Sequence, residues 1–295
     1  MNLFLYISCY FLISFSIIGY GHLFCSFFLK NKKNNLGYVG IYGIFFLIII
    51  SYLTNYLISH NLIFNSILLI FGLILFISFL KKNYKSEKKD IKLIFYIFLM
   101  LIVAILVAKN HDDFPYYHFP YIHLLTNSNL SIGIGHFNHG FRTPSSIFYF
   151  ASFFYLPIVN YQLVHLAPIF FIGFANFIFL KKISQFLKKK ENSYLIIYSL
   201  LSLILINVFF YRLAEHGTDR SAQILILILI FELLELINTN ISQKKINLSK
   251  ILVLSTLVIS LKVFYFIYLS IFFVIIYYQK NFFFLFSELI KNKIT

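Results

Sequence analysis

The sequence predicts an all-α, polytopic integral membrane protein of about eight or nine transmembrane helices plus short interfacial helices. Three observations predict it. Hydrophobic residues fill 60% of the 295 positions and charged residues only 12%, roughly half the charged share of a soluble domain. Apolar runs of about 20 residues, long enough to cross a bilayer, follow one another nearly from end to end. Lys residues gather in short clusters between those runs, as the positive-inside rule expects of cytoplasmic joints. That clustering also settles how to read the net charge of +15. In a soluble chain it would suggest nucleic acid; here it marks sidedness, and the expected partner is membrane lipid, with no nucleic acid.

The apolar runs fall at about 3–29, 38–58, 62–80, 92–108, 146–180, 194–211, 222–238 and 250–279. The first is read as a retained helix, because no Lys or Arg precedes Lys30 and a signal peptide would carry a basic start. Cys9 and Cys25 both lie on it, about 24 Å apart along a helix, too far to pair. Lys clusters follow the first, third, fifth and seventh runs: Lys30–Lys33, Lys81–Lys92, Lys181–Lys190 and Lys244–Lys250. These joints are expected in the cytoplasm. The alternate joints, 59–61, 110–145 and 212–221, carry Arg but no Lys beyond Lys109. They are expected outside, together with the N-terminus, and residues 1–295 form one polytopic domain.

Two runs have awkward lengths. Residues 146–180 are too long for one ordinary crossing and too short for two. We read 146–159, closed by Pro157, as a short interfacial or re-entrant helix before a crossing at about 161–181. The run 250–279 holds Lys262 in its interior. We read a short ascending helix, a turn near Lys262 and then a descending helix, which places Lys280, Lys291 and Lys293 inside; one long tilted helix is the alternative. A cation in mid-run wants an anion or a polar cavity, and Lys262 is expected to face one that also receives Arg212 or Arg220.

Polar chemistry concentrates in the outer joints. All five prolines lie between 115 and 168, and the loop 110–145 is the densest in His, Asp and Tyr. It contains His111-Asp112-Asp113-Phe114-Pro115-Tyr116-Tyr117-His118. Asp113, two residues before a proline, fits a helix N-cap. The functional reading is a carboxylate pair beside imidazoles, one accepting a proton or binding a metal while the other raises its neighbour's pKa. His136 and His139 form a weaker metal pair, and their flanking glycines favour a solvated loop. Arg142 is a candidate phosphate ligand or a partner for Asp. Arg212, Glu215, His216, Asp219 and Arg220 would line one stripe if that joint were helical. Such a stripe would hold a charged substrate or neutralise itself. Glu232 and Glu235 lie inside the seventh run near its cytoplasmic end, where pairing with Lys is the favoured role and an ion pathway the other.

The pattern Asp112-Asp113-x-x-Tyr116-Tyr117-His118-x-Pro120, in an external loop after a transmembrane helix, resembles the GT-C superfamily of membrane glycosyltransferases. It is most similar to a bacterial branch whose loop continues like Arg142-Thr143-Pro144-Ser145-Ser146-Ile147-Phe148-Tyr149 and which carries a later Glu215-His216-Gly217-Thr218-Asp219-Arg220. The resemblance covers roughly residues 92–280. It implies a transferase in the bacterial inner membrane, taking a sugar from a polyprenyl-phosphate carrier at the extracytoplasmic face. It further implies that an acidic residue of the external loop serves as base or as ligand to a divalent metal. On that reading Asp112, Asp113 and His118 are catalytic, with Asp113 the expected base and Asp112 binding a metal or the acceptor, or orienting His118. Tyr116, Tyr117, Arg142, Glu215, His216, Asp219, Arg220 and Lys262 bind substrate. The chain departs from many members in carrying the motif after its fourth run rather than its first, and in ending soon after Ile294. The alternatives are a transporter or lipid-linked oligosaccharide flippase using Glu232, Glu235 and Lys262, and a non-catalytic scaffold.

Overall fold

The computed structural model describes residues 3–29, 35–107, 111–130, 132–189, 193–212, 217–238, 241–278 and 287. Among them the chain is all-α, with a single isolated bridge, Leu156 to Asn160, in place of any strand. Four helices are long and apolar enough to cross a membrane: Leu3–Phe28, Leu36–Asn55, Leu62–Leu106 and Tyr161–Lys188. Shorter apolar helices cover Ser193–Phe209, Ile246–Leu261 and Val263–Tyr278.

α1 (Leu3–Phe28) and α2 (Leu36–Asn55) run antiparallel at very close range. A Cβ on Gly21 would stand 1.8 Å from the Val39 carbonyl oxygen, and one on Gly43 would stand 2.0 Å from that of Ile17. Small residues let two backbones approach where apolar side chains gain nothing by leaving lipid.

α3 (Leu62–Met100) departs from the expected order, because the Lys-rich stretch 81–92 is helical rather than a joint. Phe76 stacks on Phe15 at 4.9 Å and Phe95 stacks on Phe11 at 5.1 Å, while Phe11 and Phe15 are themselves 6.2 Å apart. Nineteen residues of straight helix would separate the two α3 positions by about 28 Å. The helix therefore bends sharply, and both its apolar halves return to α1. Most of the lysines lie exposed at the bend. Lysine is a good helix former, so charge alone did not interrupt the backbone.

The two awkward runs resolve as breaks. Ser146–Ser152 is a short buried helix, α6, followed by a turn and a 3-10 segment, Tyr161–Leu166, leading into α7 (Ala167–Lys189). At the other run, α10 (Ile241–Leu261) stops at Lys262, whose backbone is extended. A 3-10 segment, Val263–Ser270, and α11 (Ile271–Tyr278) follow. The single long helix is excluded.

Charge is sorted to the two ends of the bundle. At one end Lys181 meets Asp90 at 2.6 Å, tying α7 to α3. Beside them Glu232 of α9 (Arg220–Asn238) is fully buried. It takes hydrogen bonds from Lys250 (3.0 Å) and from the Tyr38 hydroxyl, with Lys182 at 3.9 Å. Lys182 in turn bonds Glu235 at 2.5 Å. Two cations and two anions thus close on one another, so the pairing expected for Glu232 and Glu235 is present. At the opposite end His60, wholly buried between α2 and α3, bridges Ser152 (2.8 Å) and Thr54 (3.2 Å). Asn65 binds the carbonyls of His60, Ser152 and Tyr155, and Asn55 those of Leu125 and Ser128. These bonds fasten the loops of this end to the helices.

Two predictions follow from these ends. Lys250→Met should destabilise the fold by about 3–5 kcal/mol, because it leaves a buried carboxylate short of its cation. Adding Glu232→Gln should recover part of that loss; unfolding in detergent micelles reads both. Burial lowers the His60 pKa from its ordinary value to about 4. The unfolded chain takes up that proton near 6.5, so the His60 contribution is complete above that pH and is lost as pH falls toward 4. His60→Gln should flatten the decline of the unfolding midpoint across that window.

Candidate functional site

The loop that begins at His111 is shaped by a π turn. Residues Phe114–His118 close with the His118 N–H reaching the Asp113 carbonyl at 3.4 Å, five residues back. In an α-helix, His118 would stand about 140° around the axis from Asp113. The wider turn brings it back beneath Asp113, and such turns recur at functional sites. Pro115 and Pro120 fall at the first positions of this turn and of α5 (Phe119–Asn127), where a missing N–H costs nothing. Asp113 itself makes no side-chain cap, contrary to the N-cap expectation. Its carboxylate instead accepts the Tyr117 hydroxyl at 3.2 Å and lies 3.8 Å from His111 Nδ1.

His111 and His118 stack face to face, 5.5 Å apart. The His111 Nδ1 accepts the Asp113 backbone N–H. His118 is buried beneath, against Phe148 of α6 and edge-on to Tyr117. Burial, then the neighbouring His111, lowers the His118 pKa to about 4. It is therefore neutral near pH 7. Its Nε2 atom is buried with no hydrogen-bond partner. One ligand atom each from His111, Asp113 and His118 lie within 4.8 Å of one another.

Two more segments meet this loop around a polar cavity of about 270 Å³. His111, Asp113 and Tyr117 line one side. Gly217, Thr218 and Asp219, with Arg220 and Gln223 of α9, line another, and Lys262 closes it. Lys262 pairs with Asp219 at 3.1 Å and bonds the Thr218 hydroxyl at 3.3 Å. Arg220 bonds Gln223 and lies over the Phe210 ring, and Gln223 bonds the Tyr265 hydroxyl. Ser145 fixes the segment that carries Lys262. Its hydroxyl donates to the Leu261 carbonyl at 2.5 Å and caps α6, so the break at Lys262 is pinned to the loop.

The structure thus gathers Asp113, Tyr117, His118, Asp219, Arg220 and Lys262, and leaves other expected residues outside. Asp112 and Tyr116 are exposed and do not line the cavity. Arg142 bonds the Gly135 carbonyl on the loop exterior, and Arg212 bonds Tyr211. His136 and His139 sit exposed on separate 3-10 turns. The stripe through 212–220 is not one helix. Gly217 adopts a left-handed backbone, φ 48°, and α9 opens only at Arg220. Glu215 and His216 lie outside the described residues. Sequence reasoning gave no role to His111, Thr218 or Gln223. The signal for Gln223 was a polar residue one turn beyond Arg220, just before the apolar stretch Ile224–Phe231.

The family described as a domain of unknown function, DUF8201, matches residues 1–294. Neither the curated proteins nor the solved structures give a match.

Gly217 is a position where this site should be sensitive to a single methyl group. A Cβ there would meet His111 Nε2 at 3.1 Å, on a backbone that L side chains rarely adopt. Gly217→Ala should cost about 1–2 kcal/mol in backbone strain, and Gly217→Val more. Unfolding in detergent should show that order, with amide exchange rising first in the loop at His111.

Proposed function

The chain belongs to the DUF8201 family, and we propose that it is a membrane glycosyltransferase of GT-C type, moving a sugar from a polyprenyl-phosphate carrier to an extracytoplasmic acceptor. One observation carries the reading. A carboxylate, Asp113, and two cations, Arg220 and Lys262, come from separate segments to one polar cavity at the end of an apolar helix bundle. A lipid-linked sugar phosphate needs those elements together: a bilayer for its tail, cations for its phosphate and a carboxylate for the incoming hydroxyl. The surface beside Lys262 suits the tail, since Val263, Phe264, Phe266 and Ile267 are all exposed there.

In this reading Asp113 draws the proton from the acceptor hydroxyl as its oxygen attacks the anomeric carbon. The bond from that carbon to the phosphate oxygen breaks, and the polyprenyl phosphate leaves with the negative charge. Lys262 and Arg220 meet that charge, and attack in line inverts the anomeric centre. Asp219 holds Lys262 in place before substrate arrives. The site would face outward in a bacterial inner membrane, since the opposite end carries the Lys-rich segments. Taking the two arms of α3 separately, the apolar helices supply about eight or nine crossings.

Sugar transfer from a polyprenyl-phosphate donor by the purified chain tests the proposal. Asp113→Asn should lower turnover by about 10²–10⁴-fold, the usual loss for a general base. Asp112→Asn, outside the cavity, should stay near wild type. Near-wild-type turnover in a stably folded Asp113→Asn protein would end this assignment.

A further inference from the structure

We infer that His111, Asp113 and His118 form a binding site for one divalent transition-metal ion, of the Zn²⁺, Co²⁺ or Mn²⁺ class. The inference deepens the transferase reading and rests on it only for the use made of the ion; the binding site itself stands on geometry.

The argument starts from His118. A buried imidazole ordinarily has its polar atoms satisfied, and one left unpaired is costly. The His118 Nε2 is buried without a hydrogen-bond partner. The π turn that places it there leads into α5, and it brings His118 under the carboxylate that an α-helical turn would carry it away from. The third group, His111, is stacked on the same ring. All three offer a ligand atom within 4.8 Å of one another. Two ligands about 2.1 Å from a shared tetrahedral ion stand about 3.4 Å apart, so the set needs to close by roughly an ångström. His111 and Asp113 are partly exposed, with side chains 30% and 49% accessible. They have room to move, whereas His118 is the fixed point.

The donor set selects the ion. Two imidazole nitrogens and one carboxylate suit zinc and its transition-metal neighbours, whereas magnesium and calcium prefer oxygen ligands and, for magnesium, retained water. Three protein ligands leave a coordination position open, the pattern of catalytic rather than structural sites. That position faces the cavity that holds Lys262 and Arg220. Charge is consistent with an anionic ligand there, since one carboxylate does not neutralise a divalent ion. A bound ion of this kind lowers the pKa of a hydroxyl at its open position.

The test uses the full chain, purified in detergent, stripped with a chelator and titrated with Co²⁺ while its visible absorption is followed. Metal content after Zn²⁺ loading gives the stoichiometry. The expected result is one ion per chain, with the bands of nitrogen and oxygen coordination. His111→Ala and Asp113→Asn, on the partly exposed part of the site, should each weaken binding by more than about 100-fold, beyond the loss of a mere supporting partner. His118→Gln tests the buried ligand, and His136→Ala with His139→Ala should change nothing. No ion on the wild-type chain, or tight binding that survives both His111→Ala and Asp113→Asn, overturns the inference. Stoichiometric binding without sugar transfer would leave the metal site standing and count against the transferase reading alone.

Discussion

Glu232 has no water to face, and much of the architecture follows from how its charge is met. A carboxylate deep in an apolar bundle is tolerated only when cations and hydrogen-bond donors close around it. Here they come from α2, α7 and α10, as Tyr38, Lys182 and Lys250. The three neighbours therefore fix the rotation and height of α9. Twelve residues along the same helix, about 18 Å away, Arg220 opens into the polar cavity. α10 behaves likewise: Lys250 anchors its middle, and its last residue, Leu261, binds Ser145 just before Lys262. The placement of both cavity cations thus depends on a cluster that touches neither.

The two ends differ in how completely their charges are satisfied. At the Glu232 end the inward charges Glu232, Glu235, Lys182 and Lys250 all have partners within the protein, and Lys182 and Lys250 also lie over aromatic rings. That closure leaves little for a transported ion to replace, and it separates Glu232 and Glu235 from Lys262, which meets Asp219 instead. The cavity end is less self-contained. The Lys262–Asp219 pair is partly exposed, with side chains 40% and 48% accessible, and His118 Nε2 has no partner. Exposed pairs contribute little to stability and exchange easily for another charged group. One end is built to hold the fold, and the other retains unspent capacity for a ligand.

Much of this was legible in the sequence, and the rest was hidden for identifiable reasons. The break at Lys262 and a short helix within 146–159 could be read from run length and an interior charge, because crossing a bilayer sets strict lengths, although that helix ends at Ser152 rather than at Pro157. The concentration of chemistry in the outer joints was equally visible. The continuity of α3 was not, since lysine favours both helix and cytoplasmic joint and only packing against α1 distinguishes them. Asp112 and Asp113 are equivalent in composition. Only the π turn, a matter of one hydrogen bond reaching five residues back, decides which of them faces the cavity. The stripe through 212–220 failed at Gly217, where a left-handed residue outweighed a favourable spacing of charges.

That last contrast bears on how the cavity is made. Had 212–220 been helical, both arginines would have shared a face, and the site would belong to one element. Instead the chain turns at Gly217, and that turn lets His111 approach so closely that no Cβ fits without displacement. The cavity is consequently a meeting of three segments, anchored by several different bonds. Tyr117 holds Asp113, Thr218 holds Lys262, Ser145 holds the end of α10, and Gln223 steadies Arg220 against Tyr265. Such a site gains its charge pattern from tertiary structure rather than from any local motif. A short acidic sequence motif can therefore locate the region, while the residues that complete it become visible only once the helices are packed.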